Sequence, residues 1–175
     1  MVLVRASSGA AVTEAVWRGI FTAVDAREIT FLNLAGTGTF EGQFAVAQAW
    51  PWYGVPSGVP VAPNSGFLLR AGAVTGTIAG FTQEDGEGRI LFTIEGIDLA
   101  ANTVLRLLSS DARLFPQILF AGRDTFLGSI GDDIFLGYGG NDWIQGGAGR
   151  DRLLGGAGDD WLFGGDGGDG LQGGA

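Results

Sequence analysis

Between residues 28 and 97 apolar and polar positions alternate with a period of two, the pattern of strands that bury one face. Phe40, Phe44 and Val46 fall on one face, with Glu41 and Gln43 on the other. Val74 with Ile78, and Ile90 with Phe92 and Ile94, repeat the arrangement. The stretch 83–88 contains Asp85-Gly86 and fits the loop of a hairpin joining the last two strands. A small antiparallel sheet within 1–97 is the expectation. From 98 to 120 the period lengthens: Leu99, Val104, Leu105 and Leu108 suit one side of a short helix behind an Asp or Asn cap, and Pro116 is expected to interrupt the chain beyond it.

Beyond residue 120 the pattern changes again. Single apolar residues (Phe126, Phe135, Ile144, Leu153, Leu162 and Leu171) recur every nine positions through six in-phase units over 121–172. Two positions before each stands an aspartate: Asp124, Asp133, Asp142, Asp151, Asp160 and Asp169. Two positions before each aspartate stands a glycine: Gly122, Gly131, Gly140, Gly149, Gly158 and Gly167. Each unit therefore reads turn, carboxylate, buried side chain. The glycines suit tight turns between short strands, where positive φ or close backbone approach is needed. Calcium is a hard cation that takes six to eight oxygens, so turn carbonyls with one carboxylate per turn form a suitable cage.

Composition sharpens the division at 120. Of 33 glycines, 19 lie in 121–175, and that segment holds nine Asp against three Arg, a net charge of −6, whereas 1–120 carries −3. Each ordered glycine costs about 0.5–1 kcal/mol beyond alanine, and each inward apolar residue returns roughly 1.5–3 kcal/mol. Nineteen of the former nearly cancel six of the latter before the repulsion between carboxylates is counted. A bound metal has to tip the balance, so 121–175 is expected to be disordered without calcium and rigid with it.

The six units follow the pattern GGxGxDxUx, with U a large apolar residue, most closely at GGAGRDRLL (146–154) and GGAGDDWLF (155–163). In this they resemble the hemolysin-type calcium-binding repeat, or RTX, family. Earlier units such as GSIGDDIFL replace the second glycine by Ser129 or Tyr138. The resemblance implies an all-β chain with a short helical segment. A small antiparallel β domain (1–97) and a helical cap (98–120) would precede a right-handed parallel β-roll (121–175). It further implies two units per coil, so that positions 18 apart stack on one edge. Asp124, Asp142 and Asp160 then form one ladder and Asp133, Asp151 and Asp169 the other. Calcium would lie between the pairs Asp124–Asp142, Asp142–Asp160, Asp133–Asp151 and Asp151–Asp169, about four ions in all. Arg123 and Arg150 stand before the aspartate where the family prefers a small polar residue, a departure that bears on the affinity of neighbouring sites. The strand-like runs GTFEGQFAV, AVTGTIAGFT and RILFTIEGIDL also resemble the β-rich leaders that precede RTX repeats.

Solenoids need caps where stacking stops, and Leu114, Ile118, Leu119 and Phe120 are expected to plug the first coil. At outward positions of the repeats, Trp143 and Trp161 lie 18 apart beside Phe163, and the other sheet offers Ile134, Leu136 and Leu154. Such a face suits a partner or self-assembly, unless the leader folds back over it. A second candidate is the loop at 49–67, with Trp50, Trp52 and Tyr53 among four of the chain's five prolines.

The chain contains no Cys, His or Lys, which excludes imidazole or thiolate metal sites, His-dependent triads and disulfides, and its acidity disfavours nucleic acid. HExxH and GxSxG are absent, and Glu41, Glu95 and Asp98 form no pair that spacing marks as catalytic. No apolar run is long enough for a membrane-spanning helix, and the start lacks the apolar core of a secretory signal. The family implies type I export by an uncleaved C-terminal signal, with a secreted or cell-surface destination. The break inside a seventh unit at 173–175 is expected if the array runs on. The reading is an extracellular calcium-binding structural protein, with an accessory or adhesion subunit as the alternative and, behind both, a fragment of an enzyme tailed by such repeats.

Overall fold

The computed structural model describes residues 1–7, 19–24, 28–33, 36–46, 74–111 and 113–175. Its leader is an antiparallel meander: β1 (Leu3–Ala6), β2 (Gly19–Val24), β3 (Glu28–Asn33), β4 (Gly36–Val46), β5 (Val74–Glu84) and β6 (Ile90–Ala100). Strands β2 to β6 pair in sequence, and β1 returns to lie against β6. The 83–88 hairpin is present, and the Asp85 carboxylate holds it by accepting from the backbone N–H groups of Glu87 and Arg89. Phe92 and Ile94 are buried as the alternation requires, but Ile90 is exposed, because it sits at the hairpin end of the sheet. Ile78, Phe81 and Gln83 point inward together because the pairing of β5 with β6 slips between Ile78 and Gly80 and resets the alternation. Glu41 is exposed as expected, while the side chains of Phe40, Phe44, Val46 and Val74 lie outside the described residues.

Helix α1 (Ala101–Ser110) follows β6 directly, and α2 (Leu114–Leu119) comes after a short break. The expected Asp or Asn cap is corrected here. The N-cap is Ala100, in extended conformation and without a side-chain hydrogen bond, because the strand runs straight into the helix and leaves Asp98 within β6. The break also falls earlier than Pro116. That residue sits in the first turn of α2, where a missing N–H is tolerated. Val104 and Leu107 of α1 are buried. The Leu105 side chain lies outside the described residues, as does the whole loop containing Trp50, Trp52 and Tyr53.

After α2 the chain coils. Strands β7 (Thr125–Leu127), β9 (Trp143–Gly149) and β11 (Trp161–Gly167) stack in parallel on one side, with β8 (Ile134–Leu136), β10 (Arg152–Gly156) and β12 (Gly170–Gly174) on the other. The register is the expected 18 residues: Thr125 pairs with Trp143 and Trp143 with Trp161, while Ile134 pairs with Arg152 and Arg152 with Gly170. The chain is therefore all-β with a short helical segment, ending in a parallel roll.

The leader and the roll share one sheet. Its nine strands run β11-β9-β7-β1-β6-β5-β4-β3-β2, and β1 is the seam, parallel to β7 and antiparallel to β6. Gly96 makes the seam possible. At φ +79 it takes a backbone that L side chains avoid, and a Cβ there would lie 2.9 Å from the Met1 carbonyl oxygen. One apolar core results, running from Phe81 and Phe92 through Val4 and Phe120 to Phe126, Phe135, Ile144 and Leu153.

Candidate metal centre

Each bend of the roll places its aspartate one residue before a strand, at the edge of the stack. Asp124, Asp133, Asp142 and Asp151 are buried, while Asp160 and Asp169, nearer the far end, are partly exposed. Their positions are held by backbone hydrogen bonds between coils. The N–H of Asp124 donates to Asp142 Oδ1 (2.8 Å), that of Asp142 to Asp160 Oδ1 (3.0 Å), that of Asp133 to Asp151 Oδ1 (2.9 Å) and that of Asp151 to Asp169 Oδ1 (3.0 Å). The two ladders expected from the 18-residue stacking are these two columns.

The second carboxylate oxygen behaves differently. Oδ2 of Asp124, Asp142, Asp151 and Asp160 is buried with no donor in reach. Such an oxygen costs roughly 1–3 kcal/mol, more when charged, unless something positive meets it. Burial pushes Asp142 up to about 7, and the neighbouring charges of Asp124 and Asp160 add to the rise. Burial likewise raises Asp124 and Asp151. Without a cation these carboxylates sit in surroundings hostile to their charge.

The space they face is lined with oxygen and emptied of side chains. A methyl group at Gly146 would meet Asp151 Oδ2 and lie 2.7 Å from the Gly164 carbonyl oxygen. At Gly155 it would meet Asp160 Oδ2 and lie 2.7 Å from the Gly173 carbonyl oxygen. At Gly137 it would meet Asp142 Oδ2 and the Gly155 carbonyl oxygen. Among the described residues no point gathers three carboxylates, so an ion here has to be completed by main-chain carbonyls. The donor set is all oxygen, as a hard cation requires, and it fits calcium.

The glycines singled out in the sequence have another place. Gly140, Gly149, Gly158 and Gly167 lie at positive φ, and their missing Cβ atoms leave room for the backbone of the coil below; at Gly140 and Gly158 that neighbour is the carbonyl of Gly122 or Gly140. Gly122 is exposed, with nothing near its missing Cβ, and Gly131 lies beneath Gly149. The glycines that face the carboxylates are the first of each unit, Gly137, Gly146, Gly155 and Gly164, which sequence reasoning did not mark. The signal was there: each stands five residues before its aspartate. Arg123 and Arg150 are exposed, and the Arg150 backbone N–H donates to Asp132 Oδ1 (2.7 Å).

The near end of the stack is closed in two ways. As expected, Leu119 and Phe120 are buried there, with Phe120 5.2 Å from Phe126 and stacked on Tyr138 at 6.2 Å. Leu114 and Ile118 are exposed instead, since α2 turns Phe115 and Pro116 inward. The second closure was not foreseen. The Val2 N–H donates to Asp124 Oδ1 (2.6 Å) and the Val2 carbonyl accepts from Thr125 N–H (2.9 Å), while Val4 packs in register with Phe126. These are the bonds that Asp124 makes to the coil above it, so β1 acts as a rung. The alternation Val2, Leu3, Val4, Arg5 was its only sequence signal.

Outside the roll, Trp143 and Trp161 stack at 6.0 Å, with Phe163 4.7 Å from Trp143. All three are exposed, Trp161 most at 62%. Trp143 and Trp161 border an open groove of about 660 Å³ that also takes in Arg123, Asn141 and Asp159. Ile134, Leu136 and Leu154 on the opposite sheet are half-buried. Among the described residues no helix is long and apolar enough to cross a membrane.

A family model for the RTX calcium-binding nonapeptide repeat, in four copies, matches residues 120–153 and 136–171. No curated protein and no solved structure matches the chain.

Proposed function

We propose that this RTX-type calcium-binding repeat protein is a secreted structural or surface protein whose roll folds as calcium enters it. The observation that carries this is the set of buried Oδ2 atoms without donors on Asp124, Asp142, Asp151 and Asp160. Calcium supplies the missing positive charge, and the first glycine of the Asp142, Asp151 and Asp160 loops leaves room for it. The side-chain ligands are the ladder aspartates, with turn carbonyls such as Gly155 and Gly164 completing the shell, for about four ions by the stacking scheme. Before export, low cytosolic calcium leaves the segment unfolded. Outside, modules with dissociation constants of about 0.1–1 mM fill and set. The chain then works as a 1–97 leader, a 98–120 cap and a 121–175 roll with no catalytic centre of its own. Far-UV circular dichroism of the full chain tests this: β content rises on adding millimolar calcium after EGTA, and identical spectra in the two conditions reject it.

A second reading is favoured by the exposed, contiguous cluster of Trp143, Trp161 and Phe163. In it the calcium-stiffened roll is an accessory or adhesion module, docking on a protein partner or a second copy through these rings. Trp143→Thr with Trp161→Thr then abolishes assembly, read by light scattering, with calcium binding unchanged. Assembly that persists in the double variant removes this reading and leaves the first intact.

A further inference from the structure

The five complete glycine-first units do not treat their carboxylates alike. In the GGxGxD loop the second position is left-handed almost throughout: Tyr138 at φ 65, Gly147 at 109, Gly156 at 111 and Gly165 at 104. Ser129, at the same place in the first of these units, is not among the positive-φ residues. Its backbone takes another course with a direct chemical consequence. The Ser129 N–H donates to Asp133 Oδ2 (2.7 Å), and the Ser129 hydroxyl donates to the same oxygen (3.0 Å). The hydroxyl oxygen in turn accepts from the Gly131 N–H (3.1 Å), which ties both sides of the bend together.

Oδ2 is the oxygen that stands bare in Asp142, Asp151 and Asp160. In Asp133 two donors already point at it, so the positive ends of an N–H and an O–H dipole occupy the direction a cation needs.

We infer that Ser129 locks the 128–133 bend by taking the metal-facing oxygen of Asp133, so that this loop takes no calcium and the Asp133–Asp151 gap is a protein-held joint. The inference rests on the calcium reading of the other loops. It makes the ion sites unequal along the roll: of the four in the stacking scheme, the Asp133–Asp151 one is held by hydrogen bonds, and those whose Oδ2 atoms stand bare, Asp124 beside the cap included, are left to metal. The lock needs no metal, so the first bend is formed before calcium arrives and offers the growing stack a template.

Native mass spectrometry of the full chain in calcium acetate, with calorimetric titration of calcium chloride as a second count, tests the lock through Ser129→Gly. The glycine removes the hydroxyl and permits the left-handed backbone of the other units. The variant should bind one calcium more per chain than the wild type, with an unchanged circular dichroism spectrum at saturation. A wild type that binds calcium and a folded variant with the same count overturn the lock alone. A wild type that binds no calcium at millimolar concentration overturns the calcium reading beneath it.

Discussion

Around β5 and β6, Ile78, Phe81, Phe92 and Ile94 bury apolar side chains in a shared core with Val104 of α1, whereas the roll hides one apolar residue beside one aspartate at each bend as far as Leu153, with Leu162 half-buried and Leu171 exposed. The leader and one face of the roll lie in the same nine-stranded sheet, antiparallel in the leader and parallel in the roll, and both satisfy their backbone groups by strand pairing. What differs is the source of cohesion. In the leader, removing apolar surface from water suffices. In the roll burial raises Asp142 and Asp151, so their charged forms disfavour folding unless a cation meets them, and 19 glycines raise the entropy to be overcome. On the proposed calcium reading, one sheet is stable in one part and conditional in another, with β1 as the boundary.

The largest effect separates the halves outright. In EGTA, backbone amides in β9 to β12 should exchange with solvent within seconds to minutes, while those of Phe81, Phe92 and Ile94 stay protected. Millimolar calcium should restore protection across both. Hydrogen exchange read by mass spectrometry on peptides from 74–100 and 140–175 makes the comparison, and equal protection of the two in EGTA would break it.

Next in size is the joint between the regions. Phe120 is wholly buried against Phe126 and Tyr138, and Phe120→Ala should cost about 3–5 kcal/mol, measured as a lower urea midpoint in saturating calcium. Its ring also offsets the left-handed backbone of Tyr138, an arrangement that costs about 1–2 kcal/mol in a residue with a Cβ. Since β1 forms the first rung, a 121–175 peptide lacking both Phe120 and residues 1–7 should need more calcium to fold than the full chain.

Much of this was legible in advance, and the limits have physical causes. The nine-residue period gave the roll, its register and its two aspartate columns, because identical units 18 apart can stack in only one phase. The hairpin at 83–88 was equally plain from Asp85-Gly86. The β1 seam was not, because a four-residue strand carries too little periodicity to stand out, and its parallel partner lies about 120 residues away in sequence. The division of labour between the two carboxylate oxygens also escaped sequence reasoning. Composition shows that aspartates are present but not which oxygen a backbone N–H has already taken.

A smaller effect probes the cradle alone. Gly155 is not at positive φ, so Gly155→Ala keeps its backbone, but the new methyl meets Asp160 Oδ2 and lies 2.7 Å from the Gly173 carbonyl. Calcium midpoints should rise about tenfold, or about 1.4 kcal/mol, with the leader untouched. A variant with wild-type calcium affinity would place the ion elsewhere.

The smallest effect concerns the outer rings. Trp161 is 62% exposed, so Trp161→Thr removes little buried surface and loses mainly its stacking with Trp143, worth about 0.5–1.5 kcal/mol. Leader and roll should respond alike: thermal midpoints in calcium should fall by a few degrees at most, and calcium affinity should not move, because the ring lies outside the coil while Asp160 faces the bend. A large loss of calcium affinity in Trp161→Thr would mean that the aromatic column supports the bends from outside, and the roll would then rest on apolar contacts as the leader does.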